Sequence, residues 1–311
     1  MFAQIAVRLT TALGDGLLGL YAHGSWVSGD FAPLRSDLDM LAVLSRQPDE
    51  LLLSLLDDTH ARLAAHHPQW AGRIEVEYVA LSTIEAFAAD PSNPGEHVIA
   101  RISPGEQMHL LPATSHRLLT WASVQEGGHP LYGPTPSTLL PPVRVDVVTA
   151  AVMDHVRDWP EWVRDMRSPG GQAYAVLTVC RALHLVREGT QVSKRQAAEY
   201  AVTEVPEWAE LIRWAQDWWY AEGSDAEDSD TPRRFASWRT SLRPSSATPR
   251  RARHSVASAR HVIASRQRVT AQRHTEYAPE RTIRMTLCAR LSRRDPACQG
   301  ELRPAVQSKS T

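Results

Sequence analysis

Residues 21–44, YAHGSWVSGDFAPLRSDLDMLAVL, constrain this chain more than any other stretch, because they place two carboxylates one residue apart at the head of an apolar run. Residues 16–22 are apolar enough for a buried strand. Gly24-Ser25 then lets the backbone turn tightly and offers N–H groups and a hydroxyl to an anion. Residues 38–44 form a second apolar run, which begins with acid. Asp37 and Asp39 stand at i and i+2, so on an extended backbone both side chains leave the same face, roughly 6–7 Å apart. Two carboxylates so spaced suit a hard, oxygen-seeking cation such as Mg²⁺ that is shared with substrate phosphates. The stretch reads as a phosphate and metal site.

Gly24-Ser25, then eleven residues, then Asp37-Leu38-Asp39 resembles the signature of the polymerase-β-like nucleotidyltransferases, in which a serine such as Ser36 commonly precedes the first Asp. Residues 73–81 alternate as a strand does, with Ile74, Val76, Tyr78 and Ala80 on one face and Glu75, Glu77, Val79 and Leu81 on the other. Two glutamates on a central strand are costly if buried without partners. The nucleotidyltransferase pattern implies a third carboxylate on this strand, beside the Asp pair. Glu75 and Glu77 share a face, so periodicity does not choose between them. The run Ile74-Glu75-Val76 resembles the Leu-Glu-Val-Thr of the streptomycin/spectinomycin adenylyltransferases, in which that Glu is the base, and this resemblance implies Glu75.

Helical spacing of Ile5, Ala6, Leu9 and Leu13 predicts an opening helix, and Leu51, Leu52, Leu55, Leu56 and Leu63 predict a crossover helix over 49–66. The order helix, strand, strand, helix, strand is that of a small α/β catalytic domain with a mixed sheet, expected over 1–134. Residues 82–112 read as loop with one short helix at 83–89. Residues 115–125 lead into a Leu-Tyr-Gly-Pro turn, and Pro134, Pro136, Pro141 and Pro142 mark 135–142 as a stiff extended connector. Helices follow over 144–167, 171–188, 194–203 and 206–220, an α-helical bundle domain expected over 143–240. Gly189 stops the second and Ser193 caps the third. The tryptophan stripe of the last helix reads as core.

This half carries a more specific resemblance. Ala175-Val176-Leu177-Thr178-Val179-Cys180-Arg181-Ala182-Leu183, then Gly189, then Val192-Ser193-Lys194-Arg195-Gln196-Ala197-Ala198 resembles the C-terminal domain of aminoglycoside adenylyltransferases. The interval implies that Lys194 is the lysine that meets the ATP phosphates. One departure stands out. Streptomycin-modifying members carry acidic residues just before Val-Leu-Thr, where this chain has Ser168-Pro169-Gly170-Gly171-Gln172; Asp154, Asp158, Glu161 and Asp165 are the acids nearby.

No 18-residue apolar run exists, and the first twenty residues lack the basic start and cleavage site of a signal peptide, so a cytoplasmic protein without membrane contact is expected. Three scattered cysteines argue against a disulfide framework or a zinc site, and there is no Walker A or GxGxxG sequence. Residues 241–311 change character, with no Trp and, from 242 on, fifteen Lys and Arg against four acids. Such a segment is expected to be disordered and to touch nucleic acid only weakly, through phosphate neutralisation. An out-of-frame extension is the other reading of it. Together the resemblances imply a monomeric enzyme that transfers AMP from ATP to a hydroxyl of a small polar acceptor, an aminoglycoside or aminocyclitol antibiotic. In this reading Asp37 and Asp39 hold Mg²⁺, Gly24, Ser25 and Lys194 hold the phosphates, and Glu75 takes the proton. AMP transfer to a protein hydroxyl and a non-catalytic regulator or nucleic-acid binder acting through the tail are the rival readings.

Overall fold

The computed structural model describes residues 1–221, 223, 235, 236 and 238, except 34, 93, 94 and 105; of Asp158, Trp162 and Asp165 it describes the backbone alone. Met1–Thr240 form one compact unit, and the basic segment 241–311, expected as a disordered tail, lies outside the described residues.

Helix α1 (Phe2–Leu13) buries Ile5, Ala6 and Leu9, the residues that recur at helical spacing. Strand β1 (Leu17–Ala22) runs into a four-residue helical turn, α2 (Gly24–Val27), and β2 (Leu38–Leu44) returns antiparallel beside β1. Helix α3 (Glu50–His66) is capped by Asp49, whose carboxylate accepts from the Leu52 N–H at 2.8 Å. It crosses over so that β3 (Ile74–Ala80) pairs with β2 in parallel. After α4 (Leu81–Ala89) come β4 (Val98–Ile102), β5 (His109–Pro112), α5 (Leu118–Gly127), β6 (His129–Tyr132) and α6 (Pro136–Leu139). One mixed sheet results, in the order β5-β4-β3-β2-β1-β6, with every pair except β2–β3 antiparallel.

Both faces of the sheet are covered. Leu38, Met40, Ala42 and Leu44 of β2 pack with Ile5 and Leu9 of α1 and Leu56 of α3. On the opposite face Tyr21, Leu41, Val43 and Val79 pack with Ile84, Phe87, Trp121 and Val124 of α4 and α5. Each large apolar side chain buried this way contributes roughly 1.5–3 kcal/mol, so β2, at the centre of both layers, is held firmly in register.

Three strands, β4, β5 and β6, form where loops and a turn were expected. Proline within or beside them hides the pattern, and a proline is tolerated there because β5, which ends at Pro112, and β6, which contains Pro130, are the edges of the sheet. Residues 135–142 are not an extended connector either. Pro136 starts the helical turn α6, where its missing N–H costs nothing; Pro136 is buried, and Leu140 packs into the layer of Tyr21, Leu41 and Trp121.

The helical half comprises α7 (Val145–Trp162), α8 (Pro169–Glu188), α9 (Lys194–Glu204) and α10 (Ala209–Tyr220). Ser168 caps α8 by accepting from the Gly171 N–H at 3.1 Å, and Gly189 ends it in the left-handed region at φ 74°. A reciprocal capping box between Ser193 and Gln196 begins α9, which places Lys194 at its first turn.

Candidate active site

The site assembles at the end of the sheet where β1 leaves and β2 and β3 begin. Gly24 has φ +68°, and a Cβ at this position would run into the Asp39 carboxylate, so the backbone of the turn lies directly on that acid. The His23 N–H donates to the Asp39 carbonyl at 3.0 Å and fixes the turn to β2. Ser25 follows, half-buried, its carbonyl accepting from Asp30 N–H at 2.9 Å. Upstream of Asp37, buried Ser36 accepts from the Ala32 N–H at 2.9 Å, while Arg73 donates to the carbonyls of Pro33, at 2.7 Å, and Ser36. These bonds set where the first aspartate emerges.

Asp39 stands opposite Glu75 in the parallel register of β2 and β3. Burial, then Glu75 and Asp37, raise the Asp39 pKa to about 7; burial and Glu75 raise that of Asp37 to about 6, against the pull of Arg73 and Lys194. Three acids thus crowd one half-buried spot. Glu75 accepts from Arg101 of β4 at 2.9 Å, and its side chain stays 29% exposed. Glu77 faces the same side but is 5% exposed, accepting from the Trp121 indole at 2.6 Å and pairing with Arg117 at 3.1 Å. Burial raises its pKa, while Arg117 and Trp121 draw it back. Of the two glutamates, Glu75 is the one that raises both aspartates and stays partly exposed.

Helices α8, α9 and α10 close the opposite side. The Lys194 ammonium lies 4.0 Å from the ring centre of Trp219 and 4.8 Å from that of Tyr174. Burial, then Arg181, lower its pKa to about 8 against the attraction of Asp39, Asp37 and Asp30. Arg181 also acts on His23, whose pKa falls to about 4 chiefly through burial. Asp30 accepts from the Tyr220 hydroxyl at 2.6 Å and from Arg195 Nε at 3.4 Å, while Arg35 lies 3.9 Å over the Trp218 ring. The loop between Gly24-Ser25 and Asp37 is therefore fastened to α9 and α10, and a pocket of about 220 Å³ opens between Phe31, Arg35, Arg195, Trp219 and Tyr220.

The family described as aminoglycoside adenylyltransferase, C-terminal domain, matches residues 138–238. The spectinomycin 9-adenylyltransferases of Staphylococcus aureus strains Mu50 and N315 are each 24% identical over 199 residues, which is 62% of this chain and 74% of theirs. The spectinomycin adenyltransferase AAD(9) of Enterococcus faecialis, solved with ATP and spectinomycin, shares the fold with a TM-score of 0.60 and 17% identity, over 76% of this chain and 97% of that one. The chain resembles the aminoglycoside adenylyltransferases. By class it is a nucleotidyltransferase, and its mixed sheet followed by a helical part is the architecture expected from the sequence.

In this adenylyltransferase-like chain the structure brings Gly24, Asp37, Asp39, Glu75 and Lys194 to one place, with Ser25 on the adjoining turn. Sequence reasoning missed Arg181, Asp30, Arg101, Tyr174 and Trp219. Arg181 sits within the quoted Val-Leu-Thr motif and carried no separate signal. The tryptophans of α10 were expected in the core, yet the fully buried residues of that helix are Ala209, Leu211, Ile212 and Ala215, while Trp218 and Trp219 are half-buried beneath cations. Of the acids near the missing acidic motif, Asp154 pairs with Arg157 and Glu161 with Arg164, both on the surface; the side chains of Asp158 and Asp165 lie outside the described residues. Among the described residues no group of three or more His, Cys, Asp or Glu forms a metal cage, and no helix is long and apolar enough to cross a membrane.

Proposed function

We propose that the chain is a Mg²⁺-dependent enzyme of the cytoplasm that transfers AMP from ATP to a hydroxyl of an aminocyclitol antibiotic. The observation that carries this reading is the pairing of Asp39 with Glu75 in register, with the Gly24 backbone on the Asp39 carboxylate and Lys194 facing both aspartates.

The aspartates suit Mg²⁺. Burial and like charge raise both pKa values, so a divalent cation relieves a cost already present. Two carboxylates without a full protein cage also match an ion that keeps waters and substrate phosphates as its remaining ligands. When bound, the ion offsets the charge that builds as pyrophosphate leaves. The chain's own groups do the rest. Gly24 and Ser25 present backbone N–H groups and a hydroxyl to the phosphates, and Lys194 adds a positive charge from the other side. Glu75, with one oxygen held by Arg101, accepts the proton of the acceptor hydroxyl. The deprotonated oxygen of the acceptor bonds to the α-phosphorus as the bond from this phosphorus to pyrophosphate breaks.

A spectinomycin-like acceptor is favoured over streptomycin. The relatives are spectinomycin enzymes, and the start of α8 holds Ser168 as a cap and no acid where streptomycin-modifying enzymes place theirs. The test is a screen of purified protein with Mg²⁺, each labelled nucleoside triphosphate in turn and a panel of aminocyclitols and aminoglycosides, scored for pyrophosphate release. Release with ATP and spectinomycin, abolished by a chelator, is expected. No release with any acceptor would sink the reading, and release with streptomycin alone would sink the acceptor assignment.

A further inference from the structure

We infer that Trp219 and Tyr174 are positioning residues that confine the Lys194 ammonium in an aromatic corner and present it to the triphosphate. The inference rests on the reading of Lys194 as a phosphate ligand. Three helices contribute: Lys194 begins α9, Tyr174 lies on α8 and Trp219 on α10. The two rings stand 6.0 Å apart, inclined at 41°, and the ammonium lies against both.

A lysine side chain is a long flexible stem carrying a strongly hydrated point charge, so holding it in one place needs partners. A carboxylate in contact would do so but would compete with phosphate for the same charge. Among the described residues no carboxylate lies in ion-pair contact with Lys194; Asp39, Asp37 and Asp30 act on it from further away. Ring faces attract the cation through their quadrupole and leave its N–H donors for an incoming anion. The corner also stands against Arg181, whose charge pushes the ammonium away.

The test is ATP binding by titration calorimetry with Mg²⁺ and no acceptor, on the full chain. Trp219→Leu and Tyr174→Leu are expected to weaken ATP binding by about 5- to 30-fold. Trp219→Phe and Tyr174→Phe, which keep a ring, should stay within about threefold of wild type, and melting temperatures should barely move. Lys194→Gln should weaken binding by itself, and adding Trp219→Leu to it should cost little more, because the ring acts through the lysine. A Trp219→Leu variant that binds as tightly as wild type overturns the inference. So does an equal loss in the Lys194→Gln background, which would make Trp219 a direct partner of the nucleotide. Wild-type binding by Lys194→Gln instead removes the underlying reading of the lysine, and the inference with it. If Trp219→Leu fails to fold, Tyr174→Leu carries the same cycle, since that residue is 41% exposed.

Discussion

If Glu75 is the base of the proposed reaction, Glu75→Gln and Glu77→Gln should part a loss of turnover from a loss of stability, although the two residues occupy equivalent positions on the same strand face. Glu77→Gln keeps an oxygen to accept from the Trp121 indole but sets an amide NH₂ against the Arg117 guanidinium, which is 14% exposed and loses its counter-charge. Removing one member of a buried pair costs about 3–5 kcal/mol, and the retained indole bond keeps the loss near the lower figure. Each kcal/mol moves the melting temperature by roughly 2–4 °C in a unit of this size, so a fall of about 6–12 °C is expected. Glu75→Gln breaks a pair with Arg101 in which both side chains are about a quarter exposed, worth no more than about 1 kcal/mol. Its melting temperature should stay within about 3 °C of wild type, while turnover falls by roughly 10²–10⁴-fold as expected for loss of a general base. Thermal melts by circular dichroism and initial rates of pyrophosphate release give the two readouts. The reverse pattern, with Glu77→Gln stable and inactive and Glu75→Gln unstable and active, refutes the reasoning.

Asp39→Asn, nearly isosteric, should keep the fold and lose transfer by orders of magnitude; retained activity at an unchanged melting temperature removes Asp39 from the metal pair. Gly24→Ala places a methyl group against the Asp39 carboxylate at a φ of +68°, so Mg²⁺-dependent ATP binding should weaken and stability fall by about 1–2 kcal/mol, and wild-type calorimetry and melts would contradict the close approach. His60, buried with its Nε2 2.6 Å from the Tyr78 hydroxyl, has its pKa lowered to about 4 by burial. The unfolded chain then takes the proton first, so the stability His60 contributes is full above about pH 6.5 and is lost as pH falls towards 4. His60→Gln should reduce the slope of urea-derived stability against pH by up to about 1.4 kcal/mol per unit within that window, and an unchanged slope would discount His60. A chain ending at Thr240 keeps the compact unit and every residue assigned a role, so melting and transfer should persist, and loss of either would place segment 241–311 in the working enzyme.

The cluster of Gly24, Ser25, Asp37 and Asp39 was legible because it is local. The four lie within one turn, loop and strand, and the alternation of β3 put Glu75 on the same face as Asp39. The difference between Glu75 and Glu77 was not written in that alternation. It comes from Arg117 and Trp121, which reach the strand from a segment far along the chain. Strand pairing was illegible for the same reason at β4, β5 and β6, where short segments become strands only by adding to an existing sheet. The tryptophans of α10 misled because an aromatic stripe at helical spacing looks the same whether it meets apolar side chains or cations. Lys194 was found by resemblance alone, since its surroundings come from two other helices.

The parallel register of β2 and β3 also acts as a check on assembly. Met40 and Val76 point into the layer beneath α1 and α3, while Asp39 and Glu75, their neighbours, point the other way. A slip of one residue in either strand would drive an acid into that apolar layer and expel the side chain that fills it. Chains that pack their core have thereby already set Glu75 beside Asp39, and mispaired chains are culled by instability before they can act as faulty proteins. Residues 45–73, which connect the two strands, are correspondingly free to vary in length, because the alignment of the acids is enforced by the sheet and not by the connection.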